Sequence, residues 1–406
     1  MAGALDGIRV LDFTERIQGP YGTQVLADFG ADVIKVERRA PVTPDGRPDE
    51  RYDDSGASAD SMAGLYRATF LATNRNKRSV TIDLSTEAGR EVARRLVETV
   101  DVVYENFRPG VMERLGLGYE QCRAINPSIV YASASGYGPD GPYAQKPGQD
   151  VLAQAISGMG TMNVSEQGRP TAVGMSLTDV LGGMNGAAAV LAALLHRERT
   201  GEGQQVRVSL LSSALAAQCE QVVHFLNNDA GEPLRGTVMH AHPYIPPPYG
   251  FYATKDGYLA LSSGRQVPQL ARLLNLPELV HDSRFADYWS RSHNRASMEE
   301  LIETALQQRT TAEWLGLMEA EDMFAAPVHS YAEALSDPQV RHAGLVVSID
   351  SPGGELHLVA PPFELSRTPA TVRSAPPRHG QHTAEVLTAA GYDVDALQHL
   401  REEGAI

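Results

Sequence analysis

Cysteine is nearly absent from this 406-residue sequence: Cys122 and Cys219 are the two present, far apart and in no C-x-x-C pair. A disulfide framework and a cysteine-built zinc site are therefore excluded, and a reducing cytoplasm fits. Positive charge is scarce as well. Thirty-five Lys and Arg against 50 Asp and Glu leave a formal charge of −15. Such a surface repels phosphate backbones, so nucleic acid is not an expected partner. No basic segment followed by an apolar one opens the chain, and no signal peptide is expected. The longest apolar run, Gly182–Leu195, has 14 residues and includes Asn185; it is too short to span a bilayer and reads as a buried helix. A soluble, cytoplasmic protein with no membrane partner is expected.

What is present is patterning. GIRVLDF (7–13), ADVIKVE (31–37), SVTIDL (79–84), VDVVYENF (100–107) and SIVYASASGYG (128–138) read as strands, separated by helical stretches. Such alternation predicts βαβ units and a parallel, doubly wound sheet of the Rossmann-like α/β class, with ligands at the strand C-termini. The loop 39–65 is long, polar and rich in Gly, Pro and Asp, the composition of an active-site flap or a disordered segment. A long apolar helix is expected at about 179–197, followed by a strand and helix over 204–226. Five prolines between 229 and 249 mark a linker. The expected organisation is a large domain over 1–228, a linker over 229–249, a small α/β domain over 250–330, and a returning linker with the C-terminal part of the large domain over 331–406.

Several motifs tempt. Gly136, Gly138 and Gly141 match G-x-G-x-x-G after a strand, yet Pro139, Pro142 and Pro147 oppose the helix that would have to open there. Gly174-Met175-Ser176 begins a nucleophile elbow but lacks its closing glycine. The twelve histidines are scattered and form no metal site of helical spacing. Basic residues recur more tellingly: Arg38-Arg39 after the second strand, Asn74–Arg78 before the third, Asn106–Arg114 after the fourth and Lys146 after the fifth. Together they form a local basic rim able to hold a phosphorylated ligand.

These stretches resemble the class III CoA-transferases, among them formyl-CoA, crotonobetainyl-CoA and benzylsuccinate CoA-transferases; α-methylacyl-CoA racemases share the fold. The resemblance lies in LDGIRVLDFT, GPYGTQVLADFGADVIKVERR, NRNKRSVTIDLSTEAGREVARRLVETVDVVYENFRPGVMERLGLGYE, INPSIVYASASGYGPDGPYAQKPGQD and TDVLGGMNGAAAVLAALLHRERTGEGQ, which cover most of 5–205. It implies that Asp179, opening the long helix, is the nucleophile. It implies CoA contacts at Gln18, Arg38, Leu84, Asn106, Phe107, Arg108, Arg114 and Lys146. It also implies an interlocked homodimer in which two linkers join the large and small domains of each chain.

Two departures matter. Racemases of this fold carry a His-Asp pair where this chain reads Gly148-Gln149-Asp150, and glutamine cannot take a proton. Formyl-CoA transferases carry a run of glycines where this chain reads Ser262-Ser263-Gly264-Arg265-Gln266. Gln149, Ser263, Gly264 and Arg265 are therefore the candidate substrate residues, with Arg265 either pairing with a substrate carboxylate or facing water. The expected reaction moves CoA from an acyl-CoA to a free carboxylic acid through aspartyl anhydride and aspartyl-CoA intermediates. Coenzyme A is a substrate in that reaction, and neither a resident cofactor nor a metal is expected. Asp179 is expected to be ionised at neutral pH, with amides of the helix start stabilising the oxyanions. The glycines at 182, 183 and 186 are expected to let CoA or a neighbouring chain approach. The alternatives are an acyl-CoA racemase or epimerase, disfavoured by Gln149, and a non-catalytic acyl-CoA-binding subunit; read without the resemblance, Asp179 is a helix cap.

Overall fold

Strand segments of the first half carry adjacent apolar residues, such as Val10-Leu11, Val33-Ile34 and Val102-Val103, the pattern of a sheet covered on both faces. In the computed structural model, which describes residues 3–39, 62–162, 169–227, 242–351 and 354–406, they form six strands: β1 (Arg9–Asp12), β2 (Asp32–Glu37), β3 (Lys77–Thr81), β4 (Val102–Glu105), β5 (Val130–Ser135) and β6 (Gln205–Ser209). The order is β3-β2-β1-β4-β5-β6 and every pairing is parallel. Strand order reverses beside β1, as in doubly wound folds, which bind ligands outside the strand C-termini at that point. Successive side chains take opposite faces. Leu11, Ile34, Val103 and Tyr131 enter one core, while Val10, Val33, Val102 and Val130 enter the other.

The chain divides into two units. The first comprises residues 1–153, 175–214 and 338–406, the second residues 154–174 and 215–337. Most of the loop 39–65 and the first part of the 229–249 linker lie outside the described residues.

In the first unit, the helix Leu177–Thr200 is 24 residues long, ten more than the apolar run within it and enough in length and hydropathy to cross a bilayer. Its Ala187, Val190, Ala193 and Leu194 instead fill the second core, which makes it a core helix. It stops at Gly201, whose φ of 77° closes the last turn, the usual glycine solution. The C-terminal segment completes the first core with Val386, Leu387, Leu400 and Ile406. Buried polar groups fasten it. Arg75 is paired with Asp28 at 2.7 Å and donates to the Val359 carbonyl. Asn76, at a φ of 63° that asparagine tolerates, donates to Thr371 and accepts from the amides of Arg373 and Ser374. The Asn74–Lys77 cluster is thus no phosphate-binding rim: all four residues are buried, and Arg78 pairs with Asp32 and Glu385. A hairpin, β10 (Val346–Ser351) with β11 (Gly354–Val359), belongs to this unit as well.

The second unit holds an antiparallel sheet of β7 (Tyr249–Ala253), β8 (Tyr258–Ser262) and β9 (Ala325–Pro327), in that order. Helices pack on it around Tyr252, Leu259, Phe285, Met298, Trp314 and Met318.

Candidate active site

Asp179 occupies the first turn of the long helix and is part-buried. It does not cap the helix. Nor does Ser176, which stands at the capping position without a side-chain bond. The cap comes from elsewhere in the chain: Asp150 Oδ1 accepts from the amides of Thr178 at 2.6 Å and Asp179 at 3.2 Å, and from the Thr178 hydroxyl at 2.7 Å. The Leu177 and Val180 amides bond to the carbonyls of Met175 and Ser176. All four amides of the helix start are therefore engaged, and they are not the oxyanion donors expected from the sequence. Burial, and after it the charge of Asp150, pushes the Asp179 carboxyl from 3.8 up to about 7. The expectation of a fully ionised carboxylate at neutral pH is corrected accordingly, because desolvation and a like charge both penalise the anion.

Against this helix packs the first helix, Gln18–Asp28. The glycines following Asp179 admit it: a Cβ on Gly183 would stand 2.6 Å from the Gln18 carbonyl, and one on Gly182 would stand 2.7 Å from Gln18 Nε2. Gly186 faces Tyr104, whose hydroxyl would lie 1.8 Å from an added Cβ. These glycines make room for Gln18 and Tyr104 within the chain. Gly186→Ala is expected to destabilise the fold by about 1–3 kcal/mol through overpacking. Tyr104 Oη is buried without a hydrogen bond, so adding Tyr104→Phe should recover part of the loss in urea denaturation.

Gln18 is buried one turn along from Asp179, and its Nε2 has no hydrogen-bond partner. Buried polar groups are almost always hydrogen-bonded, so this donor is an exception. Below it lies a charge network invisible in the sequence. Lys77 Nζ, fully buried, donates to Asp12 Oδ2 at 3.0 Å, the Pro20 carbonyl at 2.9 Å and Asn74 at 2.9 Å. Asp12 also accepts from the hydroxyls of Thr14 and Thr23, and Lys35 donates to the Thr14 carbonyl. Burial pushes the Asp12 carboxyl up, but Lys77, Lys35 and the two hydroxyls more than reverse this and hold it at about 2.

The candidate CoA contacts gather at the strand C-termini. Glu15 joins two of their loops: its side chain pairs with Arg38 at 3.5 Å, and its backbone exchanges two hydrogen bonds of 2.8 Å with the Asn106 side chain. Gln145 donates to the Pro109 carbonyl, which brings the segment bearing Lys146 to Arg108. Lys146 itself lies 3.7 Å above the Tyr143 ring. Arg38, Arg108, Arg114 and Lys146 are exposed, while Leu84 and Phe107 lean on the core beneath. Glu105, missed in the sequence, is buried and bonded to the Phe107 amide at 2.9 Å, with burial pushing its carboxyl to about 7. Gln149 is exposed, its carbonyl accepting from the amides of Leu152 and Ala153.

Ser263, Gly264 and Arg265 lie in the second unit. Ser263 is fully buried, with its hydroxyl turned to the Phe324 carbonyl. Arg265 is exposed and Gly264 part-exposed on the same turn. Among the described residues, no group of three or more His, Cys, Asp or Glu is placed to hold a metal ion.

The family model for CoA-transferase family III matches residues 5–383. Succinyl-CoA:glutarate CoA-transferase of Mus musculus is 34% identical over 99% of this chain and 90% of its own. Succinyl-CoA:mesaconate CoA-transferase of Haloarcula hispanica is 34% identical, over 96% and 97%. A solved structure of a CAIB/BAIF family protein from Brucella suis superposes with a TM-score of 0.79 at 33% identity, covering 96% of this chain and all of that one. Matched along nearly its whole length in sequence and in fold, the chain belongs to CoA-transferase family III and is an enzyme that transfers CoA.

Proposed function

We propose that this enzyme moves CoA from an acyl-CoA to a small dicarboxylic acid, with Asp179 carrying first the acyl group and then CoA. The observation that carries the proposal is a part-buried carboxyl at the head of the long helix, poised near neutrality, in the unit whose strand ends bear Arg38, Arg108 and Lys146. The names of the relatives, which pair succinyl-CoA with glutarate or mesaconate, support the substrate class.

Ionised Asp179 attacks the thioester carbonyl, the C–S bond breaks, and an aspartyl anhydride forms with CoA thiolate as leaving group. The thiolate then attacks the aspartyl carbonyl, releasing the donor acid as a carboxylate and leaving an aspartyl-CoA thioester. The acceptor carboxylate attacks this thioester to give a second anhydride. Thiolate attack on the new acyl carbonyl yields the product acyl-CoA and restores Asp179. A thioester is exchanged for a thioester, and protons balance over the cycle. Gln149 offers no base for α-proton removal, which disfavours racemisation. A homodimer remains part of the proposal, and the exposed Val223, Phe225 and Leu226 are a surface of the kind a second chain covers.

Hydroxylamine trapping tests the reading: adduct at Asp179 should require prior addition of acyl-CoA, and its absence would overturn the proposal. Succinyl-CoA offered with a panel of mono- and dicarboxylic acids, read by mass spectrometry, should return acyl-CoAs of the dicarboxylic members.

A further inference from the structure

We infer that Asp150 is a positioning residue for Asp179: it holds the first turn of the long helix from outside that helix and sets a second negative charge beside the nucleophile. The inference rests on Asp179 being the nucleophile.

The geometry concentrates on one atom. Asp150 Oδ1 takes the amides of Thr178 and Asp179 and the Thr178 hydroxyl, at 2.6, 3.2 and 2.7 Å. The Asp179 backbone is thus fixed directly by Asp150. Thr178 is fully buried, so its hydroxyl needs the partner that Asp150 supplies. Capping alone does not explain a carboxylate here, since asparagine caps a helix about as well as aspartate. What the carboxylate adds is charge. A negative group beside Asp179 disfavours its free anion, whereas the aspartyl anhydride and the aspartyl-CoA thioester are neutral at that side chain. Acylation removes the repulsion, so Asp150 favours the covalent states over the free carboxylate.

Other groups along this helix do not supply that charge. The first helix brings Gln18 and the phenol Tyr21 to it, and β4 brings Tyr104 against Gly186. Arg207 is the one charged side chain of β5 and β6. Of the described groups, Asp150 is the one whose charge acts on the Asp179 carboxyl.

The test is the pH profile of kcat/KM with succinyl-CoA and glutarate, for wild type, Asp150→Asn and Asp150→Ala. Asparagine keeps the cap and removes the charge. In Asp150→Asn the acid limb is expected to move down by about half a unit to one unit, with kcat a few-fold lower at pH 8, where the nucleophile is less basic. Asp150→Ala should lose activity that Asn retains. If Asp150→Ala does not fold, the Asn profile decides alone. An acid limb unmoved in Asp150→Asn, with acyl adduct still trapped at Asp179, overturns the inference and leaves the nucleophile standing. No adduct at Asp179 in the wild type would instead remove the reading on which it rests.

Discussion

Asp179→Asn is expected to abolish CoA transfer, with kcat/KM falling by about 10³-fold or more, while CoA itself should bind within a few-fold of wild type. The amide is isosteric, and the backbone it hangs from is held by Asp150, so the site should keep its shape and lose only the attacking oxygen. Isothermal titration with CoA and an acyl-CoA exchange assay separate the two effects; full activity in the variant would sink the covalent mechanism. The same substitution should stabilise the fold. The Asp179 carboxyl sits at about 7 against an ordinary 3.8, so the folded state holds its proton more tightly than the unfolded chain. Its contribution to stability is fully present below pH 3.8 and is lost as pH rises through 7. Asparagine has nothing to lose. The melting temperature of Asp179→Asn should therefore draw ahead of wild type between about pH 4 and 7 and keep a constant lead above that.

Lys77→Met is expected to lower the unfolding free energy by about 3–5 kcal/mol, the usual cost of stranding one member of a buried ion pair. Methionine fills the volume but satisfies none of the three acceptors that Lys77 serves: Asp12, the Pro20 carbonyl and Asn74. Pro20 belongs to the first turn of the helix that carries Gln18, so the loss should also appear as a raised KM for acyl-CoA. Asp12→Asn added to Lys77→Met should cost less than the sum of the two single changes, because neither charge is then left alone. Urea denaturation across pH adds a second reading. In the wild type Asp12 is held at about 2; its contribution is present above pH 3.8 and disappears as pH falls through 2. Lys77→Met should flatten that acid dependence.

The strands of the first unit were legible because both sheet faces are buried. Runs such as Val10-Leu11 and Val102-Val103 place apolar residues on both faces, whereas the order β3-β2-β1-β4-β5-β6 came only with the fold. Asp179 at the head of an apolar helix reads, by position alone, as a cap; only the family resemblance singled it out as a candidate nucleophile. Asp150 was not legible, because it reaches Thr178 across 28 residues and no local spacing records such a cap. Lys77 and Arg75 misled for a related reason. In sequence they look like the rest of the basic rim, whereas the fold buries both against Asp12 and Asp28.

The sequence by itself determined the doubly wound sheet, the long helix with its leading carboxyl, and the basic residues past the strand ends. Each of these depends on local periodicity or on residue type, which the chain carries wherever it folds. The tertiary structure alone decided which carboxylate caps and which stands free, which lysine is buried, and what the glycines after Asp179 admit. Those outcomes depend on desolvation and on partners brought in from distant segments, and neither exists until the chain has closed around them.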